Sequence, residues 1–281
     1  MKELKGSEVV SVMTDKIEEQ LKGLKAVPCL AIVRVGERPD DISYERGAKK
    51  RMDKLGITCK SFVFANEISD QEFRNEFSKI NADQSINGIL LLRPLPKHIN
   101  EKAICSMISP EKDIDCISPI NIEKVFVDDN SGFLPCTPAA VMKCIEYANI
   151  DLKGKHAVVI GRSLVVGKPL SMLLLGKNAT VTICHSKTAE LIQECKRADV
   201  LISCIGRARM INDDYVKEGA VVIDVGINVD ENGKLCGDFD YDKVCMKASI
   251  ITPVPGGVGA VTTTVLAEQV ISAAKKQWNL N

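Results

Sequence analysis

The chain reads as an α/β protein of two lobes with mostly parallel sheets. Three observations predict this. Apolar runs of strand length alternate with stretches of helical period, a turn-rich segment separates two sets of such runs, and one run breaks into a glycine-bounded turn that opens a helix. The first lobe holds runs at 29–35, 59–64 and 88–92. The second holds runs at 157–160, 179–184, 200–203, 221–225 and 250–252. Helices are expected between them.

The first lobe, residues 1–120, ends near Ser118-Pro119-Ile-Asn121 and Asp128-Asp-Asn-Ser-Gly132, where turn formers cluster. A helix starting near Thr137-Pro138 is expected to link the lobes. The second lobe covers 137–261, and the helical stretch 262–281 is expected to return to the first. A chain of 281 residues is long enough for two such lobes.

Thirty-seven acids balance thirty-seven bases, which argues against a concentrated basic face for nucleic acid or membrane surfaces. No run is apolar and long enough to span a bilayer, and the charged, amphipathic N-terminus does not read as a signal peptide. A cytoplasmic location is expected. The eleven cysteines are odd in number, scattered, and form no C-x-x-C pair, so most read as small buried apolar residues. Three dispersed histidines make no metal cluster, and no metal is expected.

The most informative segment is His156-Ala-Val-Val-Ile-Gly161-Arg162-Ser163-Leu-Val-Val-Gly167-Lys168-Pro169. Glycines at both ends of the turn let the backbone approach a pyrophosphate, and the helix that follows offers amides and a partial positive charge. Arg162 and Ser163 depart from G-x-G-x-x-G, so a plain strand-to-helix connection is the competing reading. The next strand ends in His185-Ser186-Lys187-Thr188, where an NAD site usually carries an acid. With none there, Arg162, Ser186 and Lys187 supply donors for a ribose phosphate, which favours NADP. Alternatively, Ser186 and Thr188 cap the following helix, expected at 189–197.

Six ordered motifs together resemble the methylenetetrahydrofolate dehydrogenase/cyclohydrolase family over nearly the whole chain. They are Pro135-Cys-Thr-Pro138, Gly161-Arg-Ser163 with Val166-Gly167-Lys-Pro169, Ala179-Thr-Val-Thr-Ile-Cys-His-Ser186, Val222-Ile-Asp-Val-Gly-Ile-Asn228, Gly237-Asp238, and Thr252-Pro-Val-Pro-Gly-Gly-Val-Gly259. The resemblance implies two Rossmann-like α/β/α lobes flanking a cleft, folate on the first, NADP on the second, and a homodimer. It implies hydride transfer from methylenetetrahydrofolate to the nicotinamide. It also assigns Tyr44 and Asp115 to catalysis and substrate binding, Pro255, Gly256 and Gly257 to the folate, and Gly161, Arg162, Ser163, Ser186 and Ile227 to the cofactor.

Read without the family, Tyr44 is an ordinary helix aromatic and Asp115 a loop or cap residue. The segment 252–259 is then a rigid turn, and Gly226-Ile227-Asn228 a plain strand end. Asp238 has no role that elementary chemistry assigns.

The first lobe departs from the family pattern at two positions. A lysine is expected four residues after Tyr44, and Ala48 stands there; Pro39 and Gly56 fix the register. Lys49 is turned about 100° away around the helix. A glutamine is expected before the Leu-Pro-Leu-Pro loop, and Leu92 stands there, followed by Arg93. In Lys112-Asp113-Ile-Asp115 the acid is kept, though Cys116-Ile117-Ser118 replaces Gly-Phe-His.

Hydride removal from the methylene carbon leaves a cation stabilised by two folate nitrogens and needs alignment, not a base. Ring opening needs water to attack and lose a proton, a task for a lysine of lowered pKa. The expectation is a dehydrogenase whose cyclohydrolase activity is weak or absent. The alternatives are a fully bifunctional enzyme, using Arg93 or Lys49, and a non-catalytic NADP-binding paralogue.

Overall fold

Strand-length apolar runs and well-formed caps set the elements along the chain, and the computed structural model describes residues 1–280. In order they are β1 (Lys2–Glu3), α1 (Gly6–Lys22), β2 (Cys29–Val35), α2 (Pro39–Leu55), β3 (Thr58–Phe64), α3 (Asp70–Ala82), β4 (Gly88–Leu91), α4 (Glu101–Met107), α5 (Pro119–Phe126) and α6 (Cys136–Tyr147). There follow β5 (His156–Ile160), α7 (Gly167–Gly176), β6 (Thr180–Cys184), α8 (Leu191–Lys196), β7 (Val200–Ser203), β8 (Val221–Asp224), β9 (Asn228–Val229), β10 (Leu235–Cys236), α9 (Tyr241–Val244), β11 (Ile250–Ile251) and α10 (Val258–Gln277).

Two compact units result. One is Met13–Cys136 with the described residues from Thr263 onward; the other is Met1–Val12 with Thr137–Thr262. The first twelve residues therefore group with the later unit, whereas the sequence reading began the first lobe at residue 1. Lys2 and Glu3 form a strand edge beside Ile250 and Ile251, which accounts for the grouping.

In the unit built on 13–136 a parallel three-stranded sheet has the order β3-β2-β4, with Ala31 opposite Lys60 and Ile89. Phe73 and Phe77 of α3 and Ile104 of α4 pack against Ala31, Val33, Ile89 and Leu91 of the sheet. Truncating the large side chains among these to alanine costs about 2–5 kcal/mol in typical cores. Helix α3 starts at a reciprocal cap in which Ser69 and Glu72 satisfy each other's backbone amides. Helix α2 opens with Pro39 and closes on Gly56, whose φ of 70° ends the helix.

The other unit has a parallel six-stranded sheet of order β1-β11-β8-β7-β5-β6, plus the antiparallel ribbon β9-β10. The chain order reverses direction between β5 and β7, and ligands in open α/β sheets gather at such strand ends. The α/β class and parallel sheets are those read from the sequence. Most strand ends fall within a residue of the expected ones. β1, β9 and β10 were not foreseen, because each pairs only two residues and none lies in an apolar run such as the one at β11.

One buried carboxylate ties α2 to the sheet. Glu45 accepts from Arg34 Nε of β2 at 2.7 Å, from Lys49 Nζ at 2.8 Å and from Ser61 Oγ of β3. Burial by itself would raise this carboxyl, but the hydrogen bonds from Lys49, Ser61 and Arg34 outweigh it and pull it down to about 2. A depressed carboxylate contributes stability above its unfolded pKa and loses it as pH falls towards the folded value. The shift corresponds to a contribution on the order of 3 kcal/mol. Denaturant unfolding of wild type and Glu45→Gln should thus show a clear stability gap at pH 6 that closes between about pH 4.5 and pH 2. A gap that stays constant over that range contradicts the assignment.

Candidate active site

The end of β5 builds a cavity from residues close in sequence. Gly161, with φ of 133°, turns the chain out of the strand, and Gly167 brings it back as the first residue of α7. A Cβ on Gly167 would stand 2.1 Å from Gly161 O, and one on Gly161 would stand 2.4 Å from Cys204 Sγ. Both positions therefore require glycine for close approach rather than for flexibility alone. The resulting cavity, about 310 Å³, is lined by Gly161, Arg162, Ser163 and Ser186, and by residues of the loop after β7.

Ser163 does more than line the wall. Its Oγ accepts from the amides of Val166 at 3.0 Å and Gly167 at 3.5 Å, so the first donors of α7 are already capped. The sequence reading had left those amides open for an anion. Thr188 is likewise occupied: its Oγ1 accepts from His185 N–H at 2.8 Å, closing a turn that presents Ser186. It does not cap α8, which begins later than expected and has no side-chain cap. Arg162 and Ser186 are exposed.

Four of the five expected cofactor residues thus share one cavity, and Ile227 is not among its lining residues. Ile227 is 64% exposed, and its Cδ1 lies 3.2 Å from where a Cβ of Gly259 would be. Sequence reasoning missed Arg207, Cys204 and Ile205, which line the cavity from the end of β7. The strand-end rule was the available signal, because β7 lies beside β5.

The loop 252–257 sits in the same unit. Gly256 O accepts from Gly6 N at 2.8 Å, Gly256 has φ of 99°, and a Cβ on Gly257 would meet Pro253 O at 2.4 Å. Pro255 and Gly256 are exposed and Gly257 is buried. The loop is rooted at Thr252, whose Oγ1 accepts from Asp224 N at 2.8 Å.

Tyr44 and Asp115 meet in the other unit. Burial pushes the Tyr44 phenol well up, helped by the nearby Cys136 thiol and Asp115 carboxylate, so it stays a neutral donor. Burial likewise raises Asp115, against the Cys136 amide that donates to its Oδ1 at 2.9 Å and against the charge of Arg93. Its neighbour Asp113 has a structural task, accepting from the amides of Ile117 and Ser118 and from Asn121 Nδ2. Ala48, one turn along α2 from Tyr44, is fully buried, and Leu92 is 7% exposed. Lys49 is held by Glu45, and Arg93 Nη1 lies 3.6 Å from Glu101 Oε1.

A glycine-turn cavity at the switch point of a parallel sheet, with cationic and hydroxyl donors on its wall, marks a dinucleotide-binding α/β protein. Residues 135–278 match the family model described as tetrahydrofolate dehydrogenase/cyclohydrolase, NAD(P)-binding domain, and residues 4–115 match its catalytic domain. The chain belongs to the tetrahydrofolate dehydrogenase/cyclohydrolase family. It is 55% identical over 276 residues to the bifunctional protein FolD of Clostridioides difficile (strain 630), an overlap of 95% of this chain and 96% of that protein. The crystal structure of bifunctional FolD from Campylobacter jejuni superimposes with a TM-score of 0.96 at 39% identity, covering 98% of this chain and 99% of that one. The Trypanosoma brucei FolD structure, in complex with NADP cofactor and inhibitor, superimposes with a TM-score of 0.92 at 30% identity, covering 98% and 97%.

The cavity geometry makes Gly167→Ala a sharp test. Its new Cβ meets backbone rather than a movable side chain, so the turn must open. NADP binding measured by calorimetry should weaken at least about tenfold, since small displacements of positioned groups are costly. Unchanged affinity would show that the turn does not shape the cofactor site.

Proposed function

We propose that this enzyme oxidises 5,10-methylenetetrahydrofolate to 5,10-methenyltetrahydrofolate with NADP, and that it opens the methenyl product weakly or not at all. The observation that carries the second half is the fully buried methyl of Ala48 one turn from Tyr44, with apolar Leu92 at the position where the family commonly has glutamine. Three cations of this unit make contacts of their own. Lys49 is paired to Glu45 at 2.8 Å, the Lys112 ammonium donates to the carbonyls of Asn81 and Asp83, and a guanidinium such as Arg93 does not deprotonate.

The two half-reactions ask for different things. When bound, NADP supplies the nicotinamide carbon that accepts the hydride. On the protein side, Arg162 and Ser186, both on the cavity wall, would hold a ribose phosphate through bidentate and single hydrogen bonds. Tyr44, a neutral phenol, and Asp115, raised by burial, are suited to hydrogen-bonding the folate ring. None of these contacts needs to move a proton during hydride transfer. Ring opening does: water adds to the methenyl carbon and loses one proton, and the resulting hydroxyl then gives up its own proton as the carbon–nitrogen bond breaks and the departing nitrogen takes one up, leaving the formyl group on the other nitrogen. General acid–base help for such a step is commonly worth roughly 10²–10⁴ in rate, and its usual carrier is absent.

Full bifunctionality is the second reading, favoured by the name of the 55% identical Clostridioides difficile relative. A single assay separates the two. Purified protein given methylenetetrahydrofolate and NADP should accumulate the methenyl product along with NADPH, and added methenyltetrahydrofolate should open at the buffer rate. Opening well above that rate rejects the proposal. The double variant Ala48→Lys, Leu92→Gln should raise ring opening; if it does not, Cys116, Ala140, Ala260 and Val261 also take part.

The cofactor preference has its own test. Arg162→Ala should raise the KM for NADP by about tenfold to a hundredfold, as expected for a lost charge-assisted hydrogen-bond pair, while changing the KM for NAD little. Equal loss for both cofactors would mean that Arg162 does not meet the ribose phosphate.

A further inference from the structure

We propose that Asp238 is a positioning residue for the cofactor: its carboxylate holds the 204–207 loop in the shape that forms one wall of the dinucleotide cavity. The proposal rests on the NADP reading of that cavity and adds a residue that touches neither substrate.

Asp238 is fully buried and satisfied by four donors. Oδ2 accepts from Ser203 Oγ and from Ile205 N, both at 2.8 Å, and Oδ1 accepts from Arg207 N at 2.8 Å and Asn228 Nδ2 at 3.0 Å. Two of these are backbone amides of the loop that follows β7. That loop carries Cys204, Ile205 and Arg207 into the cavity wall opposite Gly161. Cys204 N also donates to Ile160 O at 2.9 Å, so the loop is pinned from one side by β5 and from the other by Asp238.

A second carboxylate fixes the first. Asp224 Oδ1 accepts from Gly226 N at 2.9 Å and Asp238 N at 3.0 Å, and its Oδ2 accepts from Phe239 N at 3.0 Å. The two acids interlock through glycines. A Cβ on Gly226 would lie 2.2 Å from Asp238 Oδ1, and a Cβ on Gly237 would lie 1.9 Å from Asp224 Oδ2. Each carboxylate fills the space left by the glycine beside the other, which gives a physical reason for the Gly237-Asp238 pair and for Gly226 in the strand-end motif.

Replacing Asp238 by asparagine tests this without changing its shape. The amide NH₂ must face one pair of donors. If it faces Arg207 N and Asn228, the asparagine can flip to compensate but the Arg207 amide loses its acceptor. If it faces Ser203 and Ile205, the hydroxyl can rotate but the Ile205 amide is stranded. Either arrangement frees one backbone amide of the loop, a loss of the size that leaving a buried donor unpaired carries.

The experiment is calorimetric titration of the full chain with NADP in the absence of folate, together with steady-state kinetics in both substrates. Asp238→Asn should raise the NADP dissociation constant about tenfold to a hundredfold, with a parallel rise in the KM for NADP and a much smaller change in the KM for folate. An unchanged NADP dissociation constant overturns the proposal. So does a uniform loss, in which both KM values and kcat deteriorate with the unfolding midpoint, because that is the mark of general loosening. Should Asp238→Asn not fold, Ser203→Ala and Asn228→Ala each remove one donor that steadies the carboxylate. Both should weaken NADP binding in the same direction by a smaller factor, and normal binding in both overturns the proposal. Ring opening plays no part in this measurement, so vigorous cyclohydrolase activity would defeat the earlier reading and leave this one standing.

Discussion

The cofactor-bearing unit depends on burying two carboxyl groups next to each other without leaving either unsatisfied. An unpaired buried carboxylate is costly, and two in contact are more so. Asp224 shows the tension: burial and the charge of Asp238 push it up to about 7, against the pull of three backbone amides. The solution is a dense set of donors drawn from the ends of neighbouring strands. Loops after β7, β8 and β11 all hang from this pair, the last through the Asp224 amide on Thr252. The glycines at 226 and 237 are there because the acids take up their side-chain volume.

The other unit organises charge differently. Helix α2 carries Tyr44 and Ala48 one turn apart, and Glu45 with Lys49 on an adjacent stripe. Glu45 uses its acceptor capacity to bind helix to sheet through Arg34 and Ser61. The lysine next to Ala48 in sequence is therefore a partner in a structural ion pair. A step that requires only placement can proceed with neutral hydrogen-bonding groups, whereas a step that moves a proton needs a group that titrates.

Much of this was legible in the chain. Buried parallel strands are continuous apolar runs, and these mark their own positions because both faces are covered. The glycine turn at 161–167 was visible because close backbone approach admits no other residue. The rotation that separates Lys49 from the Tyr44 face follows from helix geometry alone. Other features had no local signal. Asp238 meets partners 10 to 35 positions away, at Asn228 and Ser203, so its role depends on tertiary closure. Arg207 reaches the cavity because β7 is placed beside β5. The expected free amides of α7 and the alternative cap at Thr188 failed for a shared reason: a nearby hydroxyl can serve either a ligand or its own turn, and spacing does not say which.

The buried methyl at position 48 also constrains how the lineage can change. A residue with no exposed surface sits in packing that closes around its small volume, and enlarging such a residue typically costs about 1–3 kcal/mol. Most proteins carry little stability in reserve against such a loss. With neighbours closed around an alanine, any larger side chain introduced there carries a packing penalty before it can bring a catalytic gain.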